Sequence, residues 1–330
     1  MKITKTKLLT LLLIVIMTMS FFAFTACGKT PAPESQKVVR ISTTTSVNDS
    51  GLMAYLEPYF KADTGYVWEI ASAGTGAAIA SATYGNADVI LVHSKSSEEK
   101  FVTDGYASKV AGYNNERVSF MYNFFVLVGP KADPAKTNDA ATVKDAFANI
   151  ASTNSPFISR GDKSGTHNKE WTLWPKTVGI TSNDVSKIPS AILNNDKNPT
   201  GWYYSAGQGM GACLTMANEK SAYCLTDKAT FLSFANDKAG NKLPNLEIVY
   251  EADKDLKNTY SMIAVNPNAK FLSSVDKTEL PAGTVKIDAA AAKVFMDWMT
   301  SEHAKALISF YGETKYGGSL FSLMNGYLAA

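Results

Sequence analysis

Histidine and cysteine, which often bind metals or take part in nucleophilic catalysis, are scarce in this chain. Its 330 residues include three of each. Cys213 and Cys224, the two cysteines outside the N-terminal segment, have no histidine pair nearby, which argues against a structural zinc site. The sequence also lacks a Gly-x-Ser-x-Gly elbow and a Walker-type phosphate loop. We therefore expect no bound metal, no cofactor and no catalytic residue. Whether Cys213 and Cys224 form a disulfide stays open.

An excess of positive charge is missing as well. The formal net charge is only +2, and three lysines lie within the first seven residues. This balance excludes a basic surface for nucleic acid. The hydrophobic content of 45% and the charged content of 19% are ordinary for a globular protein. A chain of this length is too long for one compact core, so we expect two lobes.

The N-terminus has the pattern of a secretory signal. A lysine-rich start is followed by the almost wholly apolar residues 8–24, and small residues then precede Cys27. A cysteine at this position resembles the lipidation site of a bacterial lipoprotein. We predict a signal peptide over residues 1–26, lipid on Cys27 and a flexible tether over residues 27–37. The alternative is an uncleaved membrane anchor, because the apolar run is close to the minimum length of a span.

Apolar periodicity predicts alternating strands and helices. Strands at 38–42, 67–72 and 88–93 alternate with helices at 49–63, 77–84 and 96–104, which is the pattern of a doubly wound α/β lobe with a mostly parallel sheet. The apolar run 119–128 predicts a crossing into a second lobe, where we expect a helix at 168–178 among others. Residues 260–265 predict a strand that returns. We therefore predict a first lobe over residues 38–125 and 260–330, a second lobe over 126–259, and a cleft between them.

Residues 160–167 combine an arginine, two hydroxyls and two glycines just before a predicted helix. Backbone N–H groups at a helix start attract anions, and glycine allows the backbone to approach a ligand closely. The guanidinium of Arg160 adds a forked donor suited to oxyanions. The segment predicts a pocket for a small oxygen-rich anion. The alternative is an ordinary capped helix start with a surface arginine.

Six segments, taken in order, resemble the Tup-type family of extracytoplasmic tungstate-binding components of ABC transporters, over about residues 38–330. They are Thr43-Thr44-Thr45-Ser46, Ala73-Gly74-Thr75-Gly76, the strand at 87–93, the strand at 122–130, the segment at 160–167 and Cys224-Leu225-Thr226-Asp227. The resemblance implies a two-lobed periplasmic-binding-protein fold of the second type, with the oxyanion held between the lobes.

The loops that carry these segments give the candidate oxyanion-binding residues, which are Thr44, Thr45, Ser46, Gly74 and Thr75 in the first lobe and Arg160, Ser164, Gly165 and Thr166 in the second. We expect Thr43 to cap a helix, and Asp162 to orient Arg160 or its turn, because a like charge would repel an anion. Helix capping or a tight packing turn are the alternatives for the first-lobe residues. His93 either lines the cleft or has a structural role.

A donor-only site favours tungstate or molybdate, which carry no proton near neutral pH, over the partly protonated phosphate. The preference for tungstate over molybdate comes from the resemblance alone. The expected function is capture of tungstate outside the cytoplasm by a lipid-anchored monomer, which delivers it to the permease and ATPase subunits of an ABC importer. A molybdate- or phosphate-binding protein of the same fold, or an oxyanion sensor subunit, are the alternatives. We expect the protein not to be an enzyme.

Overall fold

The computed structural model describes residues 36–237 and 239–328. The predicted signal peptide, Cys27 and residues 28–35 of the predicted tether lie outside the described residues. Lys37, the last residue of the predicted tether, begins the first strand.

The described residues form strands and helices that we number in chain order. The strands are β1 (Lys37–Thr44), β2 (Tyr66–Ala73), β3 (Val89–Val92), β4 (Ala107–Ser108), β5 (Arg117–Pro130), β6 (Phe157–Ser159), β7 (Tyr203–Ser205), β8 (Tyr223–Asp227), β9 (Leu246–Tyr250), β10 (Lys257–Val265) and β11 (Ser322–Leu323). The α-helices are α1 (Thr45–Asp49), α2 (Leu52–Thr64), α3 (Thr75–Thr83), α4 (Lys95–Thr103), α5 (Val143–Ser152), α6 (Gly165–Glu170), α7 (Met210–Lys220), α8 (Lys228–Ala235), α9 (Ala289–Met299), α10 (Glu302–Phe310) and α11 (Glu313–Tyr316). Short 3₁₀ helices lie at Thr137–Asp139, Lys176–Val178, Val185–Lys187 and Lys254–Leu256.

The sheet has two parts that share one long strand. Its order is β2-β1-β3-β10-β5-β8-β6-β7, with β4 beside β10 and with β9 and β11 beside β5. The neighbours of β1 and those of β6 are parallel, whereas β5 and β10 run antiparallel to their neighbours. The sheet is therefore mixed, with a parallel core in each part.

Strands β5 and β10, which we call the crossing strands, connect the two parts. Residues up to Phe124 of β5 pair with β10, where Phe124 lies opposite Lys257. From Phe125 onward β5 pairs with β8 and β9 instead. We call residues 37–124 and 257–328 the first lobe and residues 125–256 the second lobe. We call the pairing change at Phe124 and Phe125 the hinge; the sequence predicts the lobes to meet after residue 125 and before residue 260.

Each lobe has its own aromatic core. In the first lobe Phe60 stacks on Trp68 with ring centroids 4.7 Å apart, and helix α9 covers both. In the second lobe Trp174 meets Phe147 and Phe157 at 4.6 and 4.9 Å. These rings are buried, and burying apolar area is the main favourable term in folding. The aromatic rings named here thus pack within their own lobe.

Two local predictions are wrong. The helix expected at 168–178 is replaced by α6, which ends at Glu170, and by the 3₁₀ turn Lys176–Val178. Pro175 explains the difference, because proline disfavours a helical conformation in the residue before it. Thr43 does not cap a helix either. Its hydroxyl donates to the carbonyl of Leu91 at 2.6 Å, and Thr44 caps α1 instead.

Candidate oxyanion-binding site

The predicted oxyanion loops lie at the starts of three helices. Helix α1 follows β1 and is capped by the side chain of Thr44, α3 follows β2 after Gly74, and α6 follows β6 and is capped by Ser164. The first N–H groups of a helix have no partner within it and carry partial positive charge. The strand-to-helix connections thus place donors from both lobes at the carboxyl ends of the strands.

Direct contacts between the lobes bring these loops together. The Nη2 of Arg160 donates to Thr45 Oγ1 at 2.9 Å, and the backbone N–H of Gly165 donates to Thr75 Oγ1 at 2.8 Å. Gly74 packs so closely on Asp162 that a Cβ there would lie 3.0 Å from a carboxylate oxygen. All nine predicted residues therefore belong to one interface, or to the loops that line it, and the two lobes are closed on each other.

Arg160 is the central charged group of this interface. Its side chain is 1% exposed, and its Nη2 is held by Thr45 and by Asp162. Among the residues that the structure describes, Nε and Nη1 of Arg160 have no hydrogen-bond partner. The buried hydroxyl of Thr166 also has no hydrogen-bond partner among these residues. Buried polar groups are nearly always hydrogen-bonded, and an unpaired charged donor is costly. These donors are therefore suited to a ligand that accepts several hydrogen bonds.

Asp162 orients Arg160 and the turn, as the sequence predicts. One oxygen of its carboxylate accepts from Arg160 at 2.5 Å, and the other accepts from the backbone N–H of Ser164 at 3.1 Å. Both oxygens therefore contact the protein. The carboxylate balances part of the buried charge of the guanidinium.

The hydroxyls of the first lobe differ in what they can donate. Thr45 and Thr75 accept N–H groups from the second lobe, so each keeps its own proton for another acceptor. Thr44 accepts from the backbone N–H of Val47 and lies 3.1 Å from Ser46 Oγ, which in turn lies 2.8 Å from His93 Nε2. The side chains of Thr44 and Ser46 are thus engaged within the protein.

In the second lobe, the predicted residues also divide by role. Ser164 Oγ accepts from the backbone N–H of His167 at 3.2 Å and keeps its own proton, whereas the N–H of Gly165 is taken by Thr75. His167 lies in the first turn of α6, and its Nδ1 accepts from the backbone N–H of Lys163 at 3.0 Å. Burial lowers the pKa of His167, so its ring is neutral at pH 7.

The buried carboxyl group of Glu170 stabilises the turn around Arg160. Glu170 accepts from Ser159 Oγ at 2.6 Å and from the hydroxyl of Tyr203 at 2.7 Å. Ser159 Oγ in turn accepts from the N–H of Gly161 at 3.3 Å. Burial raises the pKa of Glu170 to about 7. Gly161 has a φ of +62°, and a Cβ there would lie 2.1 Å from the Oγ of Ser205, so the turn requires glycine.

Sequence reasoning missed a fourth helix start at this interface. The backbone N–H of Gln208 donates to the carbonyl of Arg160, and a Cβ on Gly209 would lie 3.6 Å from the side chain of Thr45. Gly209 immediately precedes α7. The pair Gly207 and Gly209 before a helix of small residues repeats the pattern of Gly74 and Gly76, and that repeat was the available signal.

A cleft of about 680 Å³ opens beside the enclosed site. Its inner end is formed by His93 and Gly165, and its walls carry Lys95, Lys169 and Lys257 from both lobes and a crossing strand. Of these lysines, Lys95 has an acidic partner, Glu99, at 3.6 Å. Positive charge along a cleft raises the local concentration of anions. The surroundings of the site therefore favour the same class of ligand as the site itself.

The two cysteines of the second lobe lie apart from this chemistry. Cys213 and Cys224 are both buried as free thiols. Burial raises the pKa of Cys213 to about 12, so its thiol stays protonated at neutral pH.

Two lobes joined by crossing strands enclose a buried arginine whose Nε and Nη1 have no partner within the described part of the chain, and this arrangement is that of a solute-binding protein. A family model described as a PBP superfamily domain matches residues 30–303. The tungstate-binding protein TupA of Peptoclostridium acidaminophilum is 40% identical over 310 residues, which cover 91% of this chain and 93% of that protein. TupA of Campylobacter jejuni is 34% identical over 257 residues, or 78% of this chain and 81% of that protein.

A solved structure shows the same likeness. The TupA structure from Desulfovibrio alaskensis G20 is 32% identical, covers 88% of this chain and 100% of its own, and has a TM-score of 0.61. This chain belongs to the PBP superfamily and, within it, to the TupA family of extracytoplasmic solute-binding proteins.

Proposed function

We propose that this protein captures tungstate outside the cytoplasm and delivers it to an ABC importer. The tetrahedral dianion is held between the lobes, with Arg160 and Thr166 on one side and Thr45 and Thr75 on the other. The similarity to TupA proteins along most of the chain supports tungstate as the ligand. The backbone N–H groups at the starts of α1 and α3 add donors from the first lobe.

The observation that carries this proposal is the buried guanidinium of Arg160, with Nε and Nη1 unpaired among the described residues. The N–H groups of Nε and Nη1 point from different edges of the planar guanidinium, and each can donate to an oxygen of an oxyanion. A phosphate that carries a proton gains from an unpaired carboxylate, whereas Asp162, the carboxylate beside Arg160, already pairs with Arg160 and Ser164. The donor set therefore suits an anion without a proton, which tungstate and molybdate are near neutral pH.

Calorimetric titration of the anion-stripped chain from residue 28 onward tests the assignment. Tungstate, molybdate, phosphate and sulfate are titrated in turn at one salt concentration and pH 7. We expect tungstate to bind with the lowest Kd and molybdate to be its nearest competitor. Phosphate binding as tight as that of tungstate would overturn the donor-only argument. If none of the four anions binds, the proposed function fails.

We propose further that the mature protein is a monomer anchored by lipid on Cys27. The support is the sequence pattern of residues 1–27, which precede the described residues. Within residues 36–237 and 239–328, no helix has the length and apolarity required to cross a bilayer. Metabolic labelling with a fatty acid should tag the wild type and leave Cys27→Ala unlabelled. Equal labelling of both proteins would contradict the anchor.

We propose that the protein has no catalytic role, although Ser46, His93 and Asn258 are joined as a nucleophile, a base and an orienting group would be. Ser46 is fully buried, and burial lowers the pKa of His93 to about 4, which makes its ring a weak base at neutral pH. These features suit a fixed structural link better than a proton shuttle.

A further inference from the structure

His93 lies where the first-lobe loop, the second lobe and the crossing strands meet. Its Nε2 lies 2.8 Å from Ser46 Oγ, and its Nδ1 lies 2.8 Å from Asn258 Oδ1 on β10. On the side of the second lobe, the ring is so close to Gly165 that a Cβ there would lie 2.7 Å from it. One side chain thus contacts all three parts that must move when the lobes close.

The hydrogen bonds from His93 continue to the hinge. Asn258 donates through Nδ2 to Asn123 Oδ1 and to the hydroxyl oxygen of Tyr260, both at 2.9 Å. Asn123 and Asn258 lie directly opposite each other on the crossing strands. The next residue of β5, Phe124, is the last to pair with β10 before the strand changes partner at Phe125. The chain of bonds therefore ends at the hinge.

Counting donors and acceptors fixes the direction of each hydrogen bond in this series. Asn258 Oδ1 can only accept, so His93 Nδ1 carries the proton and Nε2 accepts the hydroxyl proton of Ser46. Ser46 has no second proton, so Thr44 donates to Ser46 in turn. Burial, with a smaller contribution from the positive charge of Arg160, lowers the pKa of His93 to about 4, which keeps the ring in this neutral form. The hydroxyls of Thr44 and Ser46 are thereby fixed.

We propose that His93 is a positioning residue that ties the Thr44–Ser46 loop to the crossing strands, so that the loop and the hinge move together. The proposal deepens the proposed function, on which it rests. With the link intact, the start of α1 stays in register with the hinge, and closure presents its N–H groups to the anion. Without the link, the loop shifts independently, so the closed complex forms less readily and dissociates faster.

Replacement of His93 by phenylalanine tests this link, because it keeps a ring against Gly165 and Phe125 and removes both hydrogen bonds. Ser46→Ala breaks the same link at the loop. We expect each variant to weaken tungstate about tenfold, since one buried hydrogen bond contributes about 1 kcal/mol. We also expect faster dissociation, and a double variant no worse than the worse single one. His303→Phe, on the surface beside Asp63, is the matched control and should bind like the wild type.

Three measurements separate the outcomes. Stopped-flow release of tungstate gives the dissociation rate, calorimetry gives Kd, and ¹⁵N spectra of the histidine rings give the tautomer without any ligand. If His93→Phe lowers the melting temperature but leaves Kd and the dissociation rate at wild-type values, His93 is merely structural and the inference fails. If the wild type binds no tungstate, the proposed function fails, and the ring spectra still test the bond direction. A ring of His93 with its proton on Nε2 would overturn the chain as described.

Discussion

Arg160→Ala is the substitution that tests the site most directly. Two nitrogens of the guanidinium, Nε and Nη1, have no hydrogen-bond partner among the described residues. A hydrogen bond to a charged group contributes about 1.5–3 kcal/mol, so two of them contribute about 3 kcal/mol at the lower limit. At about 1.4 kcal/mol per tenfold, tungstate affinity should fall at least about a hundredfold. The loss of the hydrogen bond from Nη2 to Thr45 should lower the affinity further, because this bond is one of those that join the two lobes.

The assay is calorimetric titration of the wild type, Arg160→Ala and Arg160→Lys with tungstate at one salt concentration. Arg160→Lys should recover only part of the affinity, because an ammonium keeps the charge but loses the planar fork. Arg40→Lys makes the same exchange at an arginine that pairs with Asp88, away from the oxyanion loops, and should leave Kd unchanged. If Arg160→Ala binds within threefold of the wild type, the guanidinium is structural and the anion lies elsewhere.

Three further outcomes follow from the same geometry. Thr45→Val or Thr75→Val should each weaken tungstate about tenfold in calorimetry, since each removes one hydroxyl proton that has no acceptor among the described residues. Gly165→Ala keeps its N–H but places a methyl group 2.7 Å from His93, so X-ray scattering should show little lobe closure with tungstate; normal closure would contradict the packing. Burial raises the pKa of Glu170 from 4.5 to about 7, so the folded state binds the proton more tightly than the unfolded chain. The contribution of Glu170 to the free energy of unfolding should therefore be highest below pH 4.5 and fall as the pH rises to about 7, and urea titrations of Glu170→Gln should lack this component.

The sequence predicts the elements of the first lobe because their signals are local. Regular apolar spacing and turn residues identify β1 to β3 and the long strand β5. The helix expected at 168–178 failed where one residue, Pro175, outweighed a favourable apolar pattern. The assignment of the helix cap to Thr43 failed by one position, because the choice between Thr43 and Thr44 depends on whether the strand continues, and β1 runs through Thr44.

The composition of the candidate site could be predicted, but the roles of its residues could not. Hydroxyls, glycines and one arginine at strand-to-helix turns identify the loops from sequence alone. Which hydroxyl proton is free depends on partners far along the chain: Ser46 is fixed by His93, and His93 by Asn258, 165 residues later. The same holds for Thr45, whose orientation is set by Arg160. Such contacts exist only once the two lobes have folded and met.

The hydrogen bonds between the lobes also affect how the bound anion is released. The hydroxyl oxygens of Thr45 and Thr75 each accept an N–H group that belongs to the opposite lobe, and under the proposed function these bonds orient both hydroxyls toward the anion. When the lobes separate, both hydroxyls lose the partners that aim them, and Arg160 withdraws with the second lobe. Under the proposed function, a transporter that pulls the lobes apart need not touch the tungstate at all. Because the residues of the site are divided between the two lobes, the closed protein would hold the anion tightly and the open protein would release it rapidly.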